Sequence, residues 1–148
     1  MPITIRIATP ADASILAGVR RTWSDEQGSH NDANFESRFA TWLAAEAAHR
    51  VFWLAELDGD AVGMVNLLVF EQMPWPGQVQ GRWGYVGNMF VDRGLRDRGI
   101  GRLLLDAAVA YARDHQLLRI VLHPSARSVP FYERAGFAPA TSLLLLEL

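Results

Sequence analysis

Val91-Asp92-Arg93-Gly94-Leu95-Arg96-Asp97-Arg98-Gly99-Ile100-Gly101-Arg102 follows the apolar run Met89-Phe90 and leads into a stretch where Ile100, Leu104, Ala107, Ala108 and Tyr111 recur at helical spacing. The segment reads as a strand, a turn rich in glycine and arginine, and a helix that starts at once. The first turn of a helix carries N–H groups without internal partners and the positive end of the macrodipole. Glycines there let the backbone approach an anion closely, and arginines add full charges, so the segment suits a phosphate or pyrophosphate. An ordinary strand-to-helix turn with solvated arginines is the alternative. Gly99-Ile100-Gly101 lacks the third glycine of a dinucleotide fingerprint, and the chain has no lysine for a nucleotide phosphate loop.

Working outward, Ile3, Ile5 and Ile7 alternate with polar neighbours as in a half-buried strand. Thr9 and Pro10 open a helix whose apolar face holds Ile15, Leu16, Val19 and Trp23. A second helix is expected over about 35–48, then strands over 51–57 and 61–70 joined by an Asp58-Gly59 hairpin turn. Residues 71–82 read as a loop, and Trp83 to Val91 as another strand. After the helix that ends near His115 come a short strand over 117–122, a helix over 126–135, and a terminal strand over 143–148. The order β-α-α-β-β-β-α-β-α-β, with hairpins first and a crossover later, predicts one α/β (α+β) domain over 1–148. Its central sheet should be mixed and mostly antiparallel, flanked by helices.

Composition narrows the chemistry. The 148 residues include no Cys, and all fourteen of the basic residues are arginine. Disulfides, thiolate nucleophiles, Cys-held metals and Schiff-base lysines are therefore excluded. His30, His49, His115 and His123 are scattered without metal-ligand spacing, so no metal is expected. A net charge of −2 argues against nucleic acid as a partner, and no apolar run is long enough for a membrane. The start, Met1-Pro2-Ile3-Thr4-Ile5-Arg6, lacks signal-peptide character, so a cytoplasmic location is expected. The charge is unevenly spread: residues 1–71 hold ten acids against five arginines, and residues 72–148 hold six against nine.

A second informative segment is Ser125-Ala126-Arg127-Ser128-Val129-Pro130-Phe131-Tyr132-Glu133-Arg134-Ala135-Gly136-Phe137, a short helix closed by Gly136. Read alone, Tyr132 is a tyrosine at the core edge. Arg96-x-x-Gly99-x-Gly101 together with Tyr132-Glu133-x-x-Gly136-Phe137 resembles the GNAT superfamily of N-acetyltransferases, and the element order extends the resemblance over essentially the whole chain. Ser125 stands where the family often has Asn, and Arg93 where it commonly has Pro.

The resemblance implies acetyl-CoA as co-substrate. The turn Arg96, Asp97, Arg98, Gly99, Ile100, Gly101 and Arg102 would hold its pyrophosphate, and Met89, Phe90 and Val91 would pair with the pantetheine arm as an added strand. Ser125 and Ser128 would lie against the same molecule. A strand N–H would stabilise the oxyanion, and Tyr132 would protonate the departing thiolate as the catalytic acid. The acceptor would be a primary amine of a small molecule or peptide, attacking directly in a ternary complex. A non-catalytic acyl-CoA-binding or sensing module of the same fold is the alternative.

The acceptor side is less legible. Glu71, Asn88, Tyr85 and His123 are candidates to take the amine's proton, directly or through water. Trp23, Phe35, Trp75 and Trp83 are candidates to line an apolar pocket, with Asp25, Glu26 and Asp32 drawing in a cationic amine. Each also has an ordinary structural reading. The apolar terminal strand would need cover, so a monomer or a homodimer is expected.

Overall fold

The computed structural model describes residues 2–148; Met1, the first residue of the expected 1–148 domain, lies outside the described residues. Strand β1 (Ile3–Ile7) leads through a 3-10 turn at Pro10–Asp12 into α1 (Ala13–Gln27) and α2 (Phe35–Glu46). Then follow β2 (Arg50–Leu57), β3 (Asp60–Glu71), β4 (Arg82–Val91), α3 (Ile100–Asp114), the short β5 (Ile120–Val121) and α4 (Val129–Arg134). The sheet order is β1-β2-β3-β4-β5, antiparallel throughout except for the parallel pair β4–β5 across α3. The mixed, mostly antiparallel sheet matches the expectation, and so does the element order as far as α4. The β2–β3 turn places Asp58 at φ +52° and Gly59 at φ +82°, the left-handed pair that the hairpin signal demands.

The expected terminal strand over 143–148 is absent. Residues 138–148 carry no helix or strand, and Leu143, Leu144, Leu145, Leu146 and Leu148 are exposed. Four consecutive leucines have no period-2 alternation, so nothing in that run tells one face from the other and no register is specified. Strand β5 is also shorter than its apolar run suggested, because only Gly84 and Tyr85 of β4 pair with it.

Helices cover both faces of the sheet. Along β2, Phe52 and Leu54 join Leu16, Val19 and Leu43 of α1 and α2, whereas Trp53 and Ala55 join Leu104, Leu105 and Ala108 of α3. Coverage of both faces explains why β2 and β3 read as near-continuous apolar runs rather than alternating ones. Strand β4 breaks the alternation. Val86 packs in the α3 layer and Phe90 in the α1–α2 layer, although residues four apart in a regular strand share a face. The cause is a bulge: Asn66 pairs with Gly87 and Met64 with Phe90, so Asn88 and Met89 together face Val65. Asn88 sits at φ +55°, a left-handed geometry that Asn tolerates better than most residues.

Candidate active site

The bulge also turns the backbone of β4. Before it, the Gly84 amide donates toward β5, to the Arg119 carbonyl at 2.9 Å; after it, the Asp92 amide donates toward β3, to the Val62 carbonyl at 2.8 Å. Alternation along the strand then directs the N–H and C=O of Met89 and Val91 away from β3. Strand β5 ends its pairing at Tyr85, so this edge of β4 is open. Arg96 occupies one of its groups, donating from Nε to the Val91 carbonyl at 2.9 Å.

The turn after β4 supplies the second half of the site. Asp97 and Gly99 both have positive φ, +63° and +82°, and Gly99 is the N-cap of α3. The first backbone bond of the helix runs from the Leu103 amide to the Gly99 carbonyl at 3.1 Å, leaving the amides of Ile100, Gly101 and Arg102 without intrahelical acceptors. A Cβ on Gly101 would lie 3.5 Å from the Phe131 ring, so a longer side chain would press α3 away from α4.

Between these parts lies a cavity of about 670 Å³. Met89, Phe90, Val91, Arg96, Asp97, Gly99, Ile100, Gly101, Arg102, Ser125, Ser128 and Trp23 line it. Arg98 is exposed and does not line it. Ser125 caps the turn before α4, its hydroxyl accepting from the Ser128 amide at 3.3 Å and donating to the Ser128 hydroxyl at 3.0 Å. Tyr132 does not line the cavity, but its neighbour Phe131 does. The Tyr132 ring is buried edge-on to Phe131 and Phe137, and burial pushes its phenol above the ordinary value, which keeps it protonated.

Charge is arranged differently from the sequence expectation. The guanidinium of Arg96 lies over Phe90, 5.4 Å from the ring centre, and donates to Glu26 Oε2 at 2.7 Å. Glu26 is thus committed to pinning α1 to the turn, not to attracting an amine. Burial and the nearby Glu26 raise the Asp92 carboxyl, an effect that Arg96 partly offsets. Arg102 pairs with Asp106 at 2.9 Å. Arg127 and Arg134, which sequence reading passed over, also line the cavity, and neither makes an ion pair among the described residues. Their seven-residue spacing on either side of Phe131 was the available signal, as it is close to two helical turns.

The acceptor candidates separate. Asn88 and Phe35 line a second cavity of about 430 Å³ with Arg20, Arg38, Phe39, Trp42, Phe52 and Met64. Asn88 and Met89 are successive residues of the bulge, so the two cavities border the same bulge. Glu71 and Trp75 line another cavity, at the opposite end of β4, where Glu71 pairs with Arg82. Seven residues of strand from Arg82 to Met89 span roughly 23 Å, so the structure does not bring Glu71 or Trp75 to the cleft. Trp83 stacks on Phe70 with 4.4 Å between centroids, also at that end. Tyr85 lies on β4 where β5 pairs with it, and His123 is exposed beyond β5.

Asn88 closes a polar chain that the sequence did not reveal. The fully buried Asn66 donates from Nδ2 to Asn88 Oδ1 at 2.8 Å and accepts from Arg50 Nη1 at 2.7 Å. Arg50 in turn donates to Glu46 at 2.8 Å. Burial raises the Glu46 carboxyl, but hydrogen bonds from Arg50 and His49 outweigh it and leave the group below its ordinary value. The chain braces the bulge from the end of α2.

The Acetyltransferase (GNAT) family model matches residues 16–137. The chain belongs to the GNAT family, whose co-substrate is acetyl-CoA. It is 32% identical over 111 residues to an aminoglycoside N(6')-acetyltransferase type 1 of Stenotrophomonas maltophilia, covering 75% of this chain and 68% of that one. A glucosamine 6-phosphate N-acetyltransferase of Trypanosoma brucei brucei is 27% identical over 90 residues, covering 61% of this chain; the match spans 59% of that relative's length. A predicted acetyltransferase from Clostridium acetobutylicum, crystallised with acetyl-CoA, superposes with a TM-score of 0.79 over 99% of this chain and 96% of that one, at 23% identity. That likeness is one of fold. No helix among the described residues is long and apolar enough to cross a membrane, and none of their His, Asp and Glu side chains cluster as a metal site.

Proposed function

We propose that the chain is an acetyl-CoA-dependent N-acetyltransferase that passes the acetyl group to a primary amine of a small molecule or peptide by direct attack in a ternary complex. One observation carries this reading: the open edge of β4 at Met89 and Val91 runs directly into the unpaired amides at the start of α3. An extended amide-bearing arm can add to the first as a strand, while the second holds the pyrophosphate. Arg127 and Arg134 add charge to the same cavity.

In this reading the Met89 N–H, at the bulge, donates to the thioester oxygen as negative charge develops there. The neutral amine forms the new C–N bond and the C–S bond breaks. Tyr132 donates its phenolic proton to the departing thiolate, and the extra proton on the amide nitrogen passes through water to restore the phenol. Burial raises the phenol above its ordinary value, so it is neutral and still carries its proton when the thiolate forms. The amine groups carried by glucosamine 6-phosphate and by aminoglycosides, named for the relatives, are of the kind expected.

Calorimetry with CoA and with ATP, followed by a thiol-release assay across amines, tests the reading. CoA should bind and ATP should not, and at least one amine should release free CoA from acetyl-CoA. Tight ATP binding without CoA binding overturns it, as does CoA binding without any acceptor-dependent release.

A further inference from the structure

The cavity beyond the β4 bulge has an unexpected lining. Four aromatic rings, Phe35, Phe39, Trp42 and Phe52, meet Arg20 and Arg38 there, and no carboxylate lines it. Arg38 is ion-paired with Asp32. Nearby Arg21, on the adjoining cavity, is paired with Glu36 at 2.8 Å. Arg20 alone of the three has neither an ion-pair nor a hydrogen-bond partner among the described residues; its guanidinium rests over Trp23, 4.6 Å from the ring centre. It lines both this cavity and the adjoining one, and Trp23 carries it to the rim of the cofactor cavity.

A planar cation stacked on an indole and facing an aromatic cavity is presented for an anion, since its donors are fixed in a fork and lack a partner. Of the three acids expected to draw in a cationic amine, Glu26 is held by Arg96 and Asp32 by Arg38, while Asp25 is exposed and lines neither cavity. A polycation entering here would set its charges against Arg20 with no carboxylate in the lining to receive them.

We infer that Arg20 selects the acceptor: the amine substrate carries a carboxylate or phosphate that pairs with Arg20, on an apolar or ring-shaped body that packs against the cavity's aromatic side chains. Asn88 has its oxygen engaged by Asn66 and its two N–H donors left to orient that body. The inference rests on the acetyltransferase reading and names its substrate class.

Matched acceptors test it: phenylalanine against phenylalaninamide for a carboxylate, glucosamine 6-phosphate against glucosamine for a phosphate, and spermidine as the polycation. Free-CoA release gives kcat/KM for each, and quenching of tryptophan fluorescence gives binding without turnover. The anionic member of at least one pair should be preferred roughly tenfold or more, as expected for a charge-assisted pair. Arg20→Gln should collapse that ratio through KM, and Arg20→Lys should restore part of it, which a merely structural role would not do. The pair that responds tells carboxylate from phosphate. Neutral members or spermidine turned over as well as the anionic ones, or a ratio untouched by Arg20→Gln, overturns the inference while leaving the acetyltransferase reading intact. Quenching by the anionic members while no acceptor supports CoA release would instead sink the transfer reaction and keep the anion site.

Discussion

Tyr132 shows how one residue's role depends on its surroundings. Its ring is part of the α3-side core, and burial holds the phenol protonated well into the alkaline range. In the proposed role of catalytic acid, its loss in Tyr132→Phe should lower kcat about 10²-fold or more, within the usual range for proton transfer, with CoA affinity moving far less. The raised value sets the sign of the pH effect: the phenol keeps its proton up to and beyond ~10, so the kcat profile should show no Tyr132 limb below that pH. Steady-state kinetics and a calorimetric CoA titration check both, and an undiminished kcat would remove Tyr132 from the chemistry. The motif around Tyr132 was legible because it is contiguous. That its side chain is core-buried while its neighbours line the cavity was not, because this depends on the packing of Phe131 and Phe137.

Among the elements, β4 decides the site. Its apolar run and its glycines are visible in the sequence, and Gly99 and Gly101 announce the helix start by the positive φ and the close packing they permit. The bulge is not visible, because it is defined by pairing with β3 and is held by Asn66, 22 residues from Asn88. Asn66→Ala would empty a fully buried polar position and leave the largely buried Arg50 guanidinium short of an acceptor, which should cost about 1–3 kcal/mol in a urea unfolding experiment. If the Met89 amide is aimed by this bulge, kcat should fall more than CoA affinity does. Loss of stability with kcat intact would confine Asn66 to a structural role.

For the whole molecule, the N-terminal strand is locked to the sheet and to the approach to α1 by one arginine. Arg6 donates to both oxygens of Asp12 at 2.8 Å and to Glu56 at 2.7 Å. The Arg6 hydrogen bonds and the Thr9 amide hold the Asp12 carboxyl far below the ordinary carboxylate range. A depressed folded value contributes stability above the unfolded pKa of ~3.9, and that contribution is lost as pH falls below it. Asp12→Asn should therefore melt a few degrees below the wild type at pH 7, with the gap narrowing from about pH 4 to pH 3. Thermal melts across that range would show a constant gap if Asp12 adds nothing through its charge.

The sequence by itself determined the element order from β1 to α4, the hairpin turn, the glycine- and arginine-rich turn before α3 and family membership, because each rests on residues a few positions apart whose spacing sets backbone geometry directly. Only the tertiary structure decided which side chains meet at the site. Glu26 and Arg96 lie 70 residues apart, yet their contact removes an acid from the acceptor side and an arginine's charge from the cofactor side. The opposed acidic and basic halves of the chain thus do not become opposed surfaces at the cleft. Ion pairs hold Arg96 and Arg102 at the cofactor cavity and Arg38 at the acceptor cavity; among the described residues Arg127 and Arg134 stay unpaired at the first and Arg20, from the acidic half, at the second. Local spacing carries no information about such pairings, since they are settled by how distant elements pack.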